Sequence, residues 1–209
     1  MLNRRKFLQT SIAAGSVGLA APALAHVKGE TYVLPEEYMP REVRLRDKFP
    51  AGEIHVDPNQ FALYWTLERK KAIRYTVGIG RGNLYHSGVF HVGAKQEWPR
   101  WIPTDDMKER SPEAYADFAE GEIYENGMPG GIANPLGARA LYLYTAAGKD
   151  TYLRIHGTNN PKTIGVAVSN GCARLVNDQV KELYEMVPVG TKVVLLEKIG
   201  APPAHSQIS

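Results

Sequence analysis

The 209-residue chain has one cysteine, Cys172. That excludes an intramolecular disulfide and any metal site built on a cysteine pair. No H-E-x-x-H spacing is present either, and His55, His86 and His91 read as surface or core histidines on strands, so no metal and no cofactor is expected. Long apolar runs are missing too. The one apolar stretch, residues 12–24, is short of the roughly 20 residues that a membrane span needs. An excess of one charge is missing in all but the first residues. The formal charge of +3 comes from Arg4, Arg5 and Lys6; removing those three bases from the 25 of the chain leaves 22 against 22 acids. A balanced chain offers nothing to nucleic acid or to an anionic membrane surface. The glycine run Gly78-Ile79-Gly80-Arg81-Gly82 lacks a following helix pattern and a surrounding βαβ unit, so it reads as a strand end rather than a nucleotide site. Internal repeats are absent.

What is present begins with an export signal. Arg4-Arg5-Lys6-Phe7-Leu8, the apolar stretch and Ala23-Leu24-Ala25 have the layout of a bacterial signal peptide, and the paired arginines resemble the twin-arginine type. Residues 1–25 are therefore expected to be removed, leaving 184 of the 209 residues in the periplasm with no stable membrane span. That length suits one domain. Residues 26–51 carry scattered charge and several prolines and read as an extended linker. Residues 199–209 read as a flexible tail.

Between these lies a mostly β pattern. Phe61, Leu63, Trp65 and Leu67 alternate, as do Ile73, Tyr75, Val77 and Ile79, with a turn at Glu68–Lys71. Val89–Val92, Ala140–Tyr144, Tyr152–His156 and Lys192–Glu197 read as further strands. Trp98–Pro103 is a rigid aromatic loop, and Gly121–Gly137 is a long glycine-rich one. Ser111-Pro112 predicts a short helix over 112–119. Val180, Leu183, Tyr184 and Val187 form the apolar face of a helix that Asn177 is placed to cap.

The chemistry concentrates in His156–Arg174. An unpaired thiol in an exported chain is either buried and inert or a nucleophile. A nearby imidazole takes the proton of such a nucleophile and returns it to a leaving group. His156 and Cys172 lie 16 residues apart, enough for a strand, a loop and a return strand that bring them together. Gly157 and Gly171 clear space beside the pair, and the amides of Gly171, Cys172 and neighbours are candidates for an oxyanion hole. Ser169 is placed to hydrogen-bond within the turn. Arg174 would favour the thiolate, bind a carboxylate or brace the loop through a salt bridge. Trp98, Trp101 and Tyr115 either line the cleft or pack in the core. Because histidine precedes cysteine in a mostly β domain, a papain-like arrangement is disfavoured.

His156-Gly157-Thr158, followed by Ser169-Asn170-Gly171-Cys172-Ala173-Arg174, resembles the H-G-T … S-x-G-C-x-R signature of the L,D-transpeptidase catalytic domain, also called the YkuD domain. Asn134–Gly137, the Trp98–Pro103 loop and the Val189–Val194 ending are also similar. Tyr85–Phe90 departs from it, keeping the glycine and phenylalanine of a Thr-Pro-x-Gly-x-Phe strand and losing Thr-Pro. The resemblance spans residues 52–198. It implies a YkuD-like β-sandwich with one or two short helices, acting on peptidoglycan stem peptides. Cys172 would form a thioester at meso-diaminopimelate with loss of D-Ala, and His156 would be its base. A backbone carbonyl near Gly157 would orient the imidazole. Gly171, Cys172 and Gly157 would supply backbone donors, and Arg174, Ser169, Asn170 and Thr158 would support the site. The acceptor would be a second stem (a 3→3 cross-link), an amine of an outer-membrane protein or lipoprotein, or water. A non-catalytic wall-binding module is the alternative outside enzymes. The resemblance also implies that a carbapenem acylates Cys172. Intact mass should rise by the mass of the drug, and an unchanged mass would count against the assignment.

Overall fold

The strand alternation of residues 54–79 folds as a three-stranded antiparallel unit. The computed structural model describes residues 32–199. The expected export signal and nearly all of the expected tail lie outside the described residues. Strand β1 (Arg41–Arg44) is followed by β2 (Ile54–Asp57), β3 (Ala62–Leu67) and β4 (Lys71–Thr76). Trp65 faces Ile54 on one side and Ile73 on the other. The β3–β4 turn holds Arg69 and Lys70 both at φ 60, the left-handed geometry that matches strand twist in a tight hairpin. β1 pairs antiparallel with β4, so the expected linker is in part a sheet strand. Its charged side chains suit an edge.

After β5 (Ile79–Gly80) comes the ten-residue β6 (Gly88–Glu97), longer than the four residues that sequence pattern marked. Gly88–His91 of β6 pairs with the last strand, and His91–Glu97 pairs with β7, with a register shift between Val92 and Ala94. A side chain at Gly93 would strike the Tyr144 ring. The bulge therefore bends β6 and turns the sheet over on itself.

Helix α1 (Asp105–Arg110) follows, with Thr104 Oγ1 accepting the Met107 N–H at 3.3 Å. The sequence reading missed it. The helix expected over 112–119 is a 3₁₀ segment, Pro112–Phe118, kinked at Tyr115, and Ser111 makes no side-chain cap. Trp101 packs edge-on against Phe118 (5.1 Å between centroids) and Tyr115 (6.0 Å), so this excursion carries its own aromatic cluster.

The chain continues through β7 (Arg139–Tyr144), β8 (Asp150–His156), β9 (Ala167–Ser169), β10 (Ala173–Arg174), α2 (Asn177–Met186) and β11 (Lys192–Leu195). The large sheet has the order β1-β4-β3-β2-β11-β6-β7-β8-β10, and β5 pairs with β9 in a second. Leu63 of β3, Leu141 of β7, Ile155 of β8 and Val180 and Leu183 of α2 belong to one buried cluster. Opposite ends of the sheet share that core, which is the mostly β, sandwich-like architecture expected. A bridge between Gly78 and Arg174 ties the β4 end to β10. Lys95 closes the C-terminus of α2, donating to the carbonyls of Tyr184 and Val187 at 2.5 and 2.7 Å. Among the described residues no helix is long and apolar enough to cross a membrane.

Asn177 differs from its expected role. It is the first residue of α2, and its Oδ1 accepts the Ala138 N–H at 2.9 Å, across the fold. A side chain at Gly157 or Gly137 would strike that same oxygen. Asn177→Ala orphans a buried amide and should cost about 1–3 kcal/mol, read as a lower midpoint in urea unfolding.

Candidate active site

Cys172 and His156 come together through a two-residue parallel pairing. Ala173 lies opposite Ile155 and Arg174 opposite His156, and the Leu175 N–H donates to the His156 carbonyl at 2.8 Å. One residue earlier in this register, Cys172 sits beside Arg154. Ile155 and Ala173 point into the core. By alternation Arg154, His156, Cys172 and Arg174 share the opposite face. Cys172 is half-buried, and its thiol donates to the Tyr152 carbonyl at 3.9 Å.

His156 is buried. Its Nδ1 lies 2.5 Å from the Gly157 carbonyl. A carbonyl only accepts, so Nδ1 carries the proton and Nε2 keeps its lone pair. Burial pulls the imidazole down to about 3, and the nearby Arg174 guanidinium pushes the same way against the Gly157 carbonyl. The thiol moves in the other direction. Burial raises it, and the Arg154 amide, the Arg154 guanidinium and Arg174 only partly offset that. The resting pair is thus a neutral thiol beside a neutral imidazole. The positive charge of Arg174, expected to favour the thiolate, does not overcome desolvation.

The turn before Cys172 is fixed from within. Ser169 Oγ donates to the Cys172 carbonyl at 2.6 Å and accepts the Gly171 N–H at 3.2 Å. This changes the expected set of backbone donors. The Gly171 amide is committed to Ser169, and the Gly157 amide donates to the Arg139 carbonyl at 3.0 Å. Cys172 N–H has no partner among the described residues. Gly171 adopts φ 123, and a side chain there would meet the Leu84 carbonyl at 2.9 Å and Leu153 at 3.1 Å. Packing against the protein itself thus demands a glycine here.

Asn170 Oδ1 accepts from the Arg110 guanidinium at 3.3 Å, which ties α1 to the turn. Thr158 Oγ1 accepts the Asn160 N–H at 3.0 Å and shapes the loop after His156. Arg174 reaches Thr163 Oγ1 at 3.4 Å, its Nε is buried without a partner, and no carboxylate pairs with it among the described residues. Trp98 is 40% exposed at φ 43, outside the aromatic cluster that Trp101 and Tyr115 join.

Sequence reasoning missed several neighbours. Arg154 and Tyr152 flank the sulfur, Asp150 holds both, and the His86 ring edge approaches Gly171. Arg154 could have been found, since two residues before His156 is the same strand face.

The buried imidazole makes stability depend on pH. Below about pH 6.5 the unfolded chain binds a proton at His156 that the folded chain refuses until pH falls to about 3. This group therefore costs stability progressively as pH falls from 6.5 towards 3. His156→Gln should flatten the slope of unfolding free energy between pH 6 and 4 by about 1.4 kcal/mol per pH unit, measured in a urea series.

Comparison with known proteins identifies the family. A family model described as the L,D-transpeptidase catalytic domain, YkuD, matches residues 51–195. Escherichia coli ErfK/SrfK, named a probable L,D-transpeptidase, is 33% identical over 164 residues, 77% of this chain and 48% of its own length. The chain thus spans about half the length of that relative. A Fuscovulum blasticum chain assigned as an L,D-transpeptidase, open reading frame 5 of its ATP synthase subunit region, is 30% identical over 92% of this chain and 96% of its own. A solved Brucella melitensis structure, named a probable carnitine operon oxidoreductase, CaiA, is 43% identical over 78% of this chain and 96% of its own, with a TM-score of 0.52. With the family model covering well over half of its residues, this chain belongs to the L,D-transpeptidase catalytic domain (YkuD) family.

Proposed function

We propose that this protein is a periplasmic, cysteine-dependent acyltransferase acting on peptidoglycan stem peptides. The observation that supports it most is the β8–β10 register, which sets Cys172 on the strand beside the buried His156 and on the same face, two residues before the position opposite it, with the His156 proton held on Nδ1 by the Gly157 carbonyl. Residues 51–195 form the catalytic domain, and residues 1–25 direct its export as a twin-arginine-type signal. Cys172 Sγ attacks the carbonyl of a meso-diaminopimelate residue bonded to a terminal D-Ala. His156 Nε2 takes the thiol proton and returns it to the leaving amine of D-Ala, leaving a thioester. The Gly157 carbonyl holds the ring and stabilises the imidazolium while it exists. Cys172 N–H is the backbone donor available to the developing oxyanion. An incoming amine, from a second stem or from an outer-membrane protein, then attacks the thioester and regenerates the thiol.

A site whose resting state is neutral on both partners makes the proton transfer part of the attack rather than a step completed beforehand. The absorbance of a thiolate near 240 nm, taken as wild type minus Cys172→Ala, should therefore be absent at pH 7 and appear only above the range in which an ordinary cysteine thiol ionises. A redox reading finds little support in the residues. Gly80 of the glycine run packs against Tyr85 and Gly171, and only a three-residue 3₁₀ turn, Gly82–Leu84, follows, too short to receive a pyrophosphate at its N-terminus.

The test is a digest of purified peptidoglycan stems, wild type beside Cys172→Ala, read by mass spectrometry. Release of D-Ala with a new diaminopimelate–diaminopimelate bond, lost in the mutant, is the expected result. Release with added water and no new bond would make the enzyme a carboxypeptidase or endopeptidase on the same scaffold. Identical products from both proteins would overturn Cys172 as nucleophile.

A further inference from the structure

Strand β8 is not regular beside the cysteine. Tyr142 of β7 faces Arg154 and Tyr144 faces Asp150, so three residues of β8 oppose one of β7. Tyr152, within this bulge, sits at φ 60, a conformation costly for a residue with a Cβ. Asp150 holds the bulge. Its Oδ1 accepts the Tyr152 N–H at 2.9 Å, and its carboxylate takes a two-point fork from Arg154 at 2.6 and 2.8 Å. The Arg154 guanidinium also donates to the Leu153 carbonyl at 2.9 Å and stacks 4.1 Å over the Tyr142 ring. Its side chain is 11% exposed. A guanidinium fixed at this many points is pre-organised.

The sulfur lies in the middle of this arrangement. The bulge aims the Tyr152 carbonyl at the thiol, and the register sets Cys172 beside Arg154. The other charged or titratable groups facing Cys172 are His156 on β8, Arg174 on β10, Tyr142 on β7, His86 beside Gly171, and Arg110 of α1 through Asn170. At His156 Arg174 is the larger of the two arginine influences. Arg154 holds that place at Cys172.

We propose that Arg154, clamped by Asp150 and Tyr142, is a positioning residue for Cys172 activation, supplying the fixed positive field against which the thiolate forms. This rests on the reading of Cys172 as nucleophile. In the step concerned the Sγ–H bond breaks and a bond from that hydrogen to His156 Nε2 forms. The electron pair stays on sulfur, and the imidazole becomes imidazolium. Arg154 faces the new negative charge without giving up a proton, while its amide N–H steadies the sulfur. Burial, aided by Arg174, keeps His156 unprotonated, and Arg154 stabilises what the transfer leaves behind.

The test needs no wall substrate. Cys172 is the sole cysteine, so its alkylation by iodoacetamide is unambiguous. Rates are measured from pH 6 to 10.5 for wild type, Arg154→Met and Arg154→Lys, with near-ultraviolet circular dichroism as the folding control. Arg154→Met should move the midpoint up by about one pH unit and slow alkylation several-fold at pH 8. Arg154→Lys keeps the charge and should hold the midpoint close to wild type. A lowered melting temperature with an unchanged pH profile would mean that Arg154 only braces the bulge, and would overturn the proposal. So would a Lys variant as displaced as the Met one. Arg154→Gln makes the same comparison if the Met variant does not fold. A flat Arg154 profile leaves the acyl-transfer reading standing, whereas active Cys172→Ala on stems removes both.

Discussion

The short parallel ladder between β8 and β10 is the constraint on which the site depends. Only Ala173 and Arg174 pair there, yet they fix the register of everything around them. The core side of the ladder is apolar and buried, through Ile155 and Ala173. A slip of one residue would exchange the faces and put arginine into the core. Burial of the apolar face therefore enforces the alignment of the polar one. The bend of β6 at Gly93 and the bridge from Gly78 to Arg174 add to this by closing the sheet over the same core.

Desolvation then sets the chemistry. A dry, hydrogen-bonded imidazole with an arginine nearby stays neutral, and a thiol in the same place resists ionisation. Both shifts oppose a standing ion pair. A standing thiolate would meet oxidants without a protecting partner, because the chain has no second cysteine. A thiol held protonated by burial avoids that exposure. The low dielectric that raises the resting thiol also strengthens any fixed charge placed beside it.

Much of this was legible in the residues, and the illegible part has identifiable causes. Alternation exposed the strands from Ile54 to Ile79, and the i, i+3, i+4 pattern exposed α2. The wall of charged residues in α1 hid that helix, since Asp105–Arg110 has no apolar face to detect. Ser111-Pro112 looked like a capped α-helix, but the segment is a kinked 3₁₀ turn organised by its aromatic cluster. Asn177 looked like a cap and instead bonds a backbone amide 39 positions away. The Asp150–Arg154 pair was invisible for a geometric reason. Four residues of regular strand span roughly 13 Å, too far for a direct fork, and only the bulge brings the two together.

By itself the sequence determined the strand-rich class, the lone thiol, and the H-G-T and S-x-G-C-x-R segments that carry the family. These are local properties: side-chain period, residue count and short spacing survive without a fold. Tertiary structure decided which amides are committed within the fold, which carbonyl holds His156, and which arginine lies alongside Cys172. Those depend on hydrogen bonds across the fold, such as Gly157 N–H to Arg139 and Asn177 to Ala138, and on desolvation, which exists only once the core has closed.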